Sequence, residues 1–277
     1  MLSLIVSVLA AVVAAAALAS VTGLGWGICL GAAVFFGLMI LLSRYFGKRL
    51  QAVAMTVQDR ITEAQAEAQR LIGRFQTKPS SQKVMQAQVE KVMETGVVDA
   101  LEVLETAQPL YKWNILAERQ INTLKMQLNF QIKRFDKADA LIPKILVLEP
   151  LTLAMKMTRQ YHNEDFAALE KSFKKGVKKF KYDKALLIYS LYTWTLIKRK
   201  KIDEALEVLT SAKDKTDSDV ITRNWEHVAN NKIHLFSNAS IGEQWYALHL
   251  EQPPKQKASK GQMKKHPMSP KGRRKFF

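Results

Sequence analysis

Nothing constrains this chain more than its first 43 residues, which contain no Asp, Glu, Lys, Arg or His; the first charge is Arg44. Roughly 20 apolar residues suffice for a helix to cross a ~30 Å hydrocarbon core. Residues 2–21 supply one such run and residues 25–43 a second. Thr22-Gly23-Leu24 separates them, with Gly25 and Gly27 close by, and this composition is turn chemistry. The spacing predicts a two-helix transmembrane hairpin. Trp26 falls where an interfacial aromatic belongs, and Tyr45 and Phe46 mark the opposite boundary. Gly27 and Gly31 form a G-x-x-x-G pair opposite an alanine-rich first run, a pattern that lets helices approach closely in lipid.

Orientation follows from the flanking charge. Arg44, Lys48 and Arg49 come directly after the second run, and cationic flanks face the cytoplasm. The reading is a multi-pass membrane protein with its N-terminus and everything after residue 44 in the cytoplasm. Ala17-Leu18-Ala19 looks like a signal-peptide cleavage site, but the apolar run lacks the basic residues that precede one. Were it cleaved, the second run would still hold the rest inside.

All 42 Lys and Arg and all 25 Asp and Glu fall in 44–277, so the net +17 belongs to that part alone. So large a surplus points to an anionic neighbour: nucleic acid, acidic lipid or an acidic protein surface. The single cysteine, Cys29, excludes an intrachain disulfide and a cysteine metal cluster.

Residues 50–76 read as one helix. Leu50, Ala54, Val57, Ile61, Ala64, Ala68, Leu71 and Phe75 alternate in steps of four and three, the spacing of a heptad seam. Two readings remain open: a stalk about 40 Å long that forms a homodimer and lifts the domain off the membrane, or an amphipathic helix packed on its own domain. Residues 77–81 then carry loop chemistry.

Beyond the stalk the chain repeats itself. Ala100-Leu-Glu-Val-Leu-Glu-Thr-Ala107 closely matches Ala205-Leu-Glu-Val-Leu-Thr-Ser-Ala212. Phe135, Ala138, Ile142, Ile145 and Pro150 share the frame, and Phe166, Leu169, Phe173 and Gly176 follow it more loosely. In these residues the chain resembles the tetratricopeptide repeat family, whose helix pairs recur every 34 residues. The matching positions 100, 138, 169 and 205 are spaced unevenly, and the family's Trp-x-x-Leu-Gly-x-x-Tyr signature is absent. The resemblance implies degenerate repeats over roughly 82–217, stacked into an α-solenoid that offers a groove to another protein. Residues 218–230 read as a capping helix, and 241–250 as a short helix folding back. In layout the chain is also similar to the membrane-anchored repeat proteins of bacterial haem-biosynthesis operons, which implies the bacterial inner membrane as its location.

The division is therefore 1–49, a membrane hairpin with a basic flank; 50–81, a helical stalk and linker; 82–252, the repeat domain; and 253–277, a basic tail. Lys171, Lys174, Lys175, Lys178 and Lys179 line one side of a helix whose other side carries Phe173, Val177 and Phe180. Lys198, Arg199, Lys200 and Lys201 form a second cluster. Like charges one turn apart repel by a few tenths of a kcal/mol per pair, so both clusters are candidate sites for an anionic partner. The tail holds nine Lys and Arg and no acid, among them Lys264, Lys265, Arg273, Arg274 and Lys275. Such a composition is read as disordered and suits phosphates or anionic lipid.

No catalytic constellation is found. H-E-x-x-H, the phosphate loop, G-x-S-x-G and the EF-hand loop are all missing, and the five histidines lack metal-ligand spacing. The sequence predicts an all-α binding protein, not an enzyme, without cofactor.

Overall fold

The computed structural model describes residues 2–77, 82–113 and 115–253, which form helices, turns and loops and no β-strand. The expected linker at 78–81 and the tail residues from 254 onward lie outside the described residues.

α1 (Leu2–Thr22) and α2 (Leu24–Thr77) are separated by Gly23 alone. Its φ of +96° is one that a side chain would strain, and it reverses the chain in a single residue. Gly25 and Gly27, expected in the turn, are already helical. The reason for Gly27 is packing. A Cβ there would lie 2.6 Å from the Ala15 carbonyl oxygen and 2.8 Å from Ala19 Cβ. A Cβ on Gly31 would meet the Ala11 carbonyl oxygen and Ala15 Cβ, each at 2.9 Å. Gly27 thus faces Ala15 and Ala19 while Gly31 faces Ala11 and Ala15, so the two helices run antiparallel in close contact.

The second apolar run and the expected stalk are one helix. α2 has 54 residues, about 80 Å at ~1.5 Å per residue, and Gly25–Phe75 is long and apolar enough to cross a membrane. Gly47 lies within 44–49, yet α2 runs through it unbroken, so the charge boundary there does not end the helix. Around the apolar parts of both helices the side chains point outward; Leu9 and Val13 of α1 and Ile28, Phe36 and Leu41 of α2 are all exposed.

The heptad seam of α2 is covered within the chain. α3 (Gln82–Glu105) runs back along it, and a Cβ on Gly96 would sit 2.2 Å from Ala64 Cβ. Val57, Ala64 and Ala68 are buried. Of the two readings of the seam, the helix packed on its own domain describes this geometry: α3 occupies the face that the spacing offered to a second copy. α4 (Gln108–Tyr111) and α5 (Ile115–Gln131) complete a small core in which Val97, Ala100, Leu104, Ala107, Leu110 and Ile121 gather around Val57. Residues 100–105 therefore close a continuous 24-residue helix, and Thr106 and Ala107 form the turn after it. Ala100, Leu104 and Ala107 are buried, as are Ala205, Leu209 and Ala212, so the two similar segments share a packing pattern.

From α5 onward one turn geometry recurs. α6 (Phe135–Leu141), α7 (Pro150–His162), α8 (Phe166–Lys179), α9 (Leu186–Lys198), α10 (Ile202–Lys213) and α11 (Asp219–Ala229) follow, with α12 (Glu243–Tyr246) at the end. α5, α7, α9 and α11 each end in the same turn. Lys133, Glu164, Lys200 and Asn231 hold φ between 56° and 63°. Each donates its N–H to the carbonyl three residues back, and the next residue donates to the carbonyl five back. This is the Schellman arrangement, normally built on glycine. Two residues beyond each of these positions stands Phe135, Phe166, Ile202 or Ile233, half-buried against the core. The turns recur after 31, 36 and 31 residues, the last of them at the end of the helix read as a cap.

This half buries large side chains. Phe130, Met157, Leu169, Ile188, Leu196, Leu209, Ile221 and Trp245 are almost wholly inaccessible. The segment 241–250 folds back as expected, with Trp245 and Leu248 in the core. Glu251 closes it, accepting the indole N–H of Trp194 and of Trp245, each at 2.8 Å. Asn238, in the glycosylation-like Asn238-Ala239-Ser240, is fully buried and bonds the Ser190 carbonyl and Asn224. Between units, Arg159 forks onto both carboxylate oxygens of Asp139 at 2.8 and 2.9 Å and lies over the Phe135 ring. Burial raises the Asp139 pKa, but hydrogen bonds from Arg159 and Asn163, with the Arg159 and His162 charges, outweigh it and hold the carboxyl below its ordinary value.

Candidate anionic-partner interface

α8 is amphipathic because its apolar residues return every three or four positions and lysines fill the rest. Phe173 stacks flat on Tyr192, with centroids 4.0 Å apart, and Phe180 is buried. Gly176 lets the helix lie against α7 and α9; a Cβ there would be 2.5 Å from Leu153 and 3.3 Å from Ile188. Anchored on that side, α8 turns Lys171, Lys174, Lys175, Lys178 and Lys179 outward, all exposed.

Their partners differ. Lys174 pairs with Glu170 one turn back, and Lys179 donates to the Val147 carbonyl. Among the described residues Lys171, Lys175 and Lys178 have no ion-pair or hydrogen-bond partner. With Ala167 and Glu170, four of the lysines line a shallow depression of about 330 Å³. Lys156 of α7 approaches from behind: burial pushes its pKa down, and the Lys175 charge pushes it further. The surface thus holds more positive charge than it neutralises.

The second cluster serves largely the turn it sits in. Arg199 lies 3.8 Å over the Phe166 ring, Lys198 5.2 Å over Trp194, and Lys201 pairs with Glu204. Lys200 is the left-handed residue of the turn itself. Glu170 connects the clusters: its pKa is lowered chiefly by the hydrogen bond and charge of Lys174, then by Lys201 and Arg199. Lys264, Lys265, Arg273, Arg274 and Lys275 lie outside the described residues.

The deeper opening is one that pattern reading missed. The longest repeat interval contains Phe180–Ala185, and this segment forms one wall of a cleft of about 860 Å³. Lys213–Asp217, after α10, forms the other. Phe180, Tyr182, Tyr189 and Val177 supply apolar surface; Lys178, Lys181, Lys213 and Lys215 stand at the rim against Asp214 and Asp217. Tyr182 has φ +56° and is 74% exposed. A bulky residue held left-handed and facing solvent is strained, and such strain gathers at binding sites. The only sequence signal was the extra length of the unit, since Lys213-Asp-Lys-Thr-Asp217 alone reads as a solvated helix end.

Among the described residues no group of His, Cys, Asp and Glu is arranged to hold a metal ion. Compared with protein-family models, curated proteins and solved structures, the chain matches none.

Proposed function

We propose that this protein is a membrane-anchored, tetratricopeptide-like adaptor of the bacterial inner membrane. α1 and the first part of α2 form a transmembrane hairpin, and the repeats face the cytoplasm and bind another protein. The observation that carries the reading is the open cleft between Phe180–Ala185 and Lys213–Asp217, with an aromatic floor and a lysine-rich rim. A cleft of this kind buries an apolar anchor while its rim selects negative charge. The small-residue contact of Gly27 and Gly31 with Ala11, Ala15 and Ala19 supports the hairpin. Arg44, Lys48 and Arg49 support the cytoplasmic orientation, and the four equivalent turns support the repeat reading. It is a binding role, not an enzymatic one.

The test is capture of a partner by the full chain from gently solubilised membranes. It is repeated with nuclease, with a chain ending at Gln252, and with Lys213→Glu/Lys215→Glu. A protein retained through the first two changes and lost in the double variant supports the adaptor. A partner retained undiminished by the double variant overturns the cleft as its site.

A second reading rests on the unpaired Lys171, Lys175 and Lys178 and on the basic tail: a membrane tether for nucleic acid or the ribosome, or for anionic lipid, with the repeats as spacer. It expects capture that needs the tail and disappears with nuclease.

A further inference from the structure

The connection between α3 and α5 returns to the boundary of the apolar segment. The Leu2 backbone N–H, left without an intrahelical acceptor at the start of α1, donates to the Lys112 carbonyl at 2.8 Å. Ser3 Oγ donates to the Trp113 carbonyl at 2.6 Å. From α2, Phe46 stacks on the Trp113 ring with centroids 4.7 Å apart and planes 21° from parallel. Tyr45 packs edge-on against Phe46, and Arg49 caps the Tyr45 ring. The first turn of α1, the charge boundary of α2 and residues 112–113 therefore share one level.

That level is fixed along the helix. Trp26, 71% exposed, and Phe46 are 20 residues apart on one uninterrupted helix, which is about 30 Å at ~1.5 Å per residue and matches the thickness of a bilayer's hydrocarbon core. From Gly96 beside Ala64 to Trp113 beside Phe46, the chain descends the same length that α2 climbs from Phe46 to Ala64. Leu116, in the first turn of α5, is 55% exposed.

We propose that Gln108–Trp113, together with Leu116, forms a third, non-spanning membrane contact. Trp113 sits among the lipid headgroups and Leu116 at the edge of the hydrocarbon, so the domain rests on the inner leaflet. Aromatic rings with one apolar and one wet edge favour this zone. The occupant is lipid rather than protein because the segment is continuous with the surface at which the apolar run ends. The proposal rests on the transmembrane reading of α1 and α2, and its test separates the two.

Cys29→Ala removes the native thiol. In that background, single cysteines at Ile40, Leu116 and Lys215 carry a nitroxide label, with the full chain in phosphatidylcholine–phosphatidylglycerol vesicles. Collision with oxygen is compared with collision with a water-soluble nickel chelate. The Ile40 label reports the span and the Lys215 label the aqueous limit. The expected order of the oxygen-to-nickel ratio is Ile40 highest, Leu116 several-fold above Lys215, and Lys215 lowest. A Leu116 ratio equal to that of Lys215, with Ile40 high, overturns the contact and leaves the span standing. All three at the aqueous limit overturns the span, and the contact with it.

Discussion

The two halves of this molecule are held together by opposite means. From α1 to α3 the contacts are made by what is missing: Gly27 and Gly31 against alanines, and Gly96 against Ala64. From α5 onward they are made by bulk, with Trp245, Phe130, Met157 and Leu169 filling the core. On the transmembrane reading proposed above, the difference follows from solvent. Large side chains in water gain roughly 1.5–3 kcal/mol each on burial, whereas among lipid tails that gain vanishes and only close backbone approach remains. α2 passes from one regime toward the other without a break. Near Gly96 it still uses small residues, although Val57 and Leu104 have begun to build a core.

The comparison breaks most visibly at Trp245, which is fully inaccessible. Trp245→Ala should cost about 3–5 kcal/mol, read from denaturant unfolding of the full chain in detergent. A loss under 1 kcal/mol would mean that the repeat half does not depend on bulk. Glu251→Ala should follow at about 2–3 kcal/mol, because it leaves two indole N–H groups without an acceptor. Its Trp fluorescence should shift along with stability.

In the other half the effect should come from adding atoms. Gly96→Ala places a methyl where Ala64 already stands and should cost about 1–3 kcal/mol. Ala64→Gly in the same chain should recover most of that, a coupling that a double-mutant cycle measures directly. Absence of coupling would show that α3 does not press on α2 at this point.

How much of this was legible in the sequence differs by region. The apolar runs, the all-helical class and the burial of Ala138, Leu169 and Ala205 follow from local spacing, and each of these three residues lies five after a left-handed turn residue. The turns themselves were hidden, because three of the four use Lys or Glu where glycine would announce them. The fold-back of α3 was hidden too: the same heptad spacing serves a second chain or a second helix, and only the 32-residue separation of Ala64 and Gly96 in contact decides. The α8 lysines were readable one by one, but the cleft was not. It joins Tyr182 to Lys215 across two connections, which no periodicity reports.

A pH dependence sharpens the contrast further. The His249 ring stacks on Phe130 and lies edge-on to Phe135 while its outer face meets water. Burial, then the Lys133 charge, lower its pKa below 6.5, against the hydrogen bonds of its ring N–H groups to the Phe130 and Gln131 backbone carbonyls, which raise it. A histidine depressed in the folded state binds fewer protons there than when unfolded. Its contribution is therefore complete above pH 6.5 and declines as pH falls below that value toward the folded pKa. His249→Asn, which tolerates the residue's left-handed φ of +56°, should flatten that part of the stability profile. An unchanged profile would assign the dependence to His162, also depressed chiefly by burial.

The smallest effect tests the turns. Lys133, Glu164, Lys200 and Asn231 hold one backbone conformation in four places, and for a residue with a Cβ that conformation costs about 1–2 kcal/mol. Glycine removes the cost but gains freedom in the unfolded chain, which takes back roughly 0.4–1 kcal/mol. Lys200, exposed and without a side-chain partner among the described residues, isolates that balance, so Lys200→Gly should stabilise by up to about 1 kcal/mol. Lys133, tied to Glu90 at 3.2 Å, would lose an exposed ion pair worth under about 1 kcal/mol, and Lys133→Gly should come out nearer zero. If both destabilise, the side chains at these positions matter more than the backbone they distort, and the four turns are equivalent in shape but not in cause.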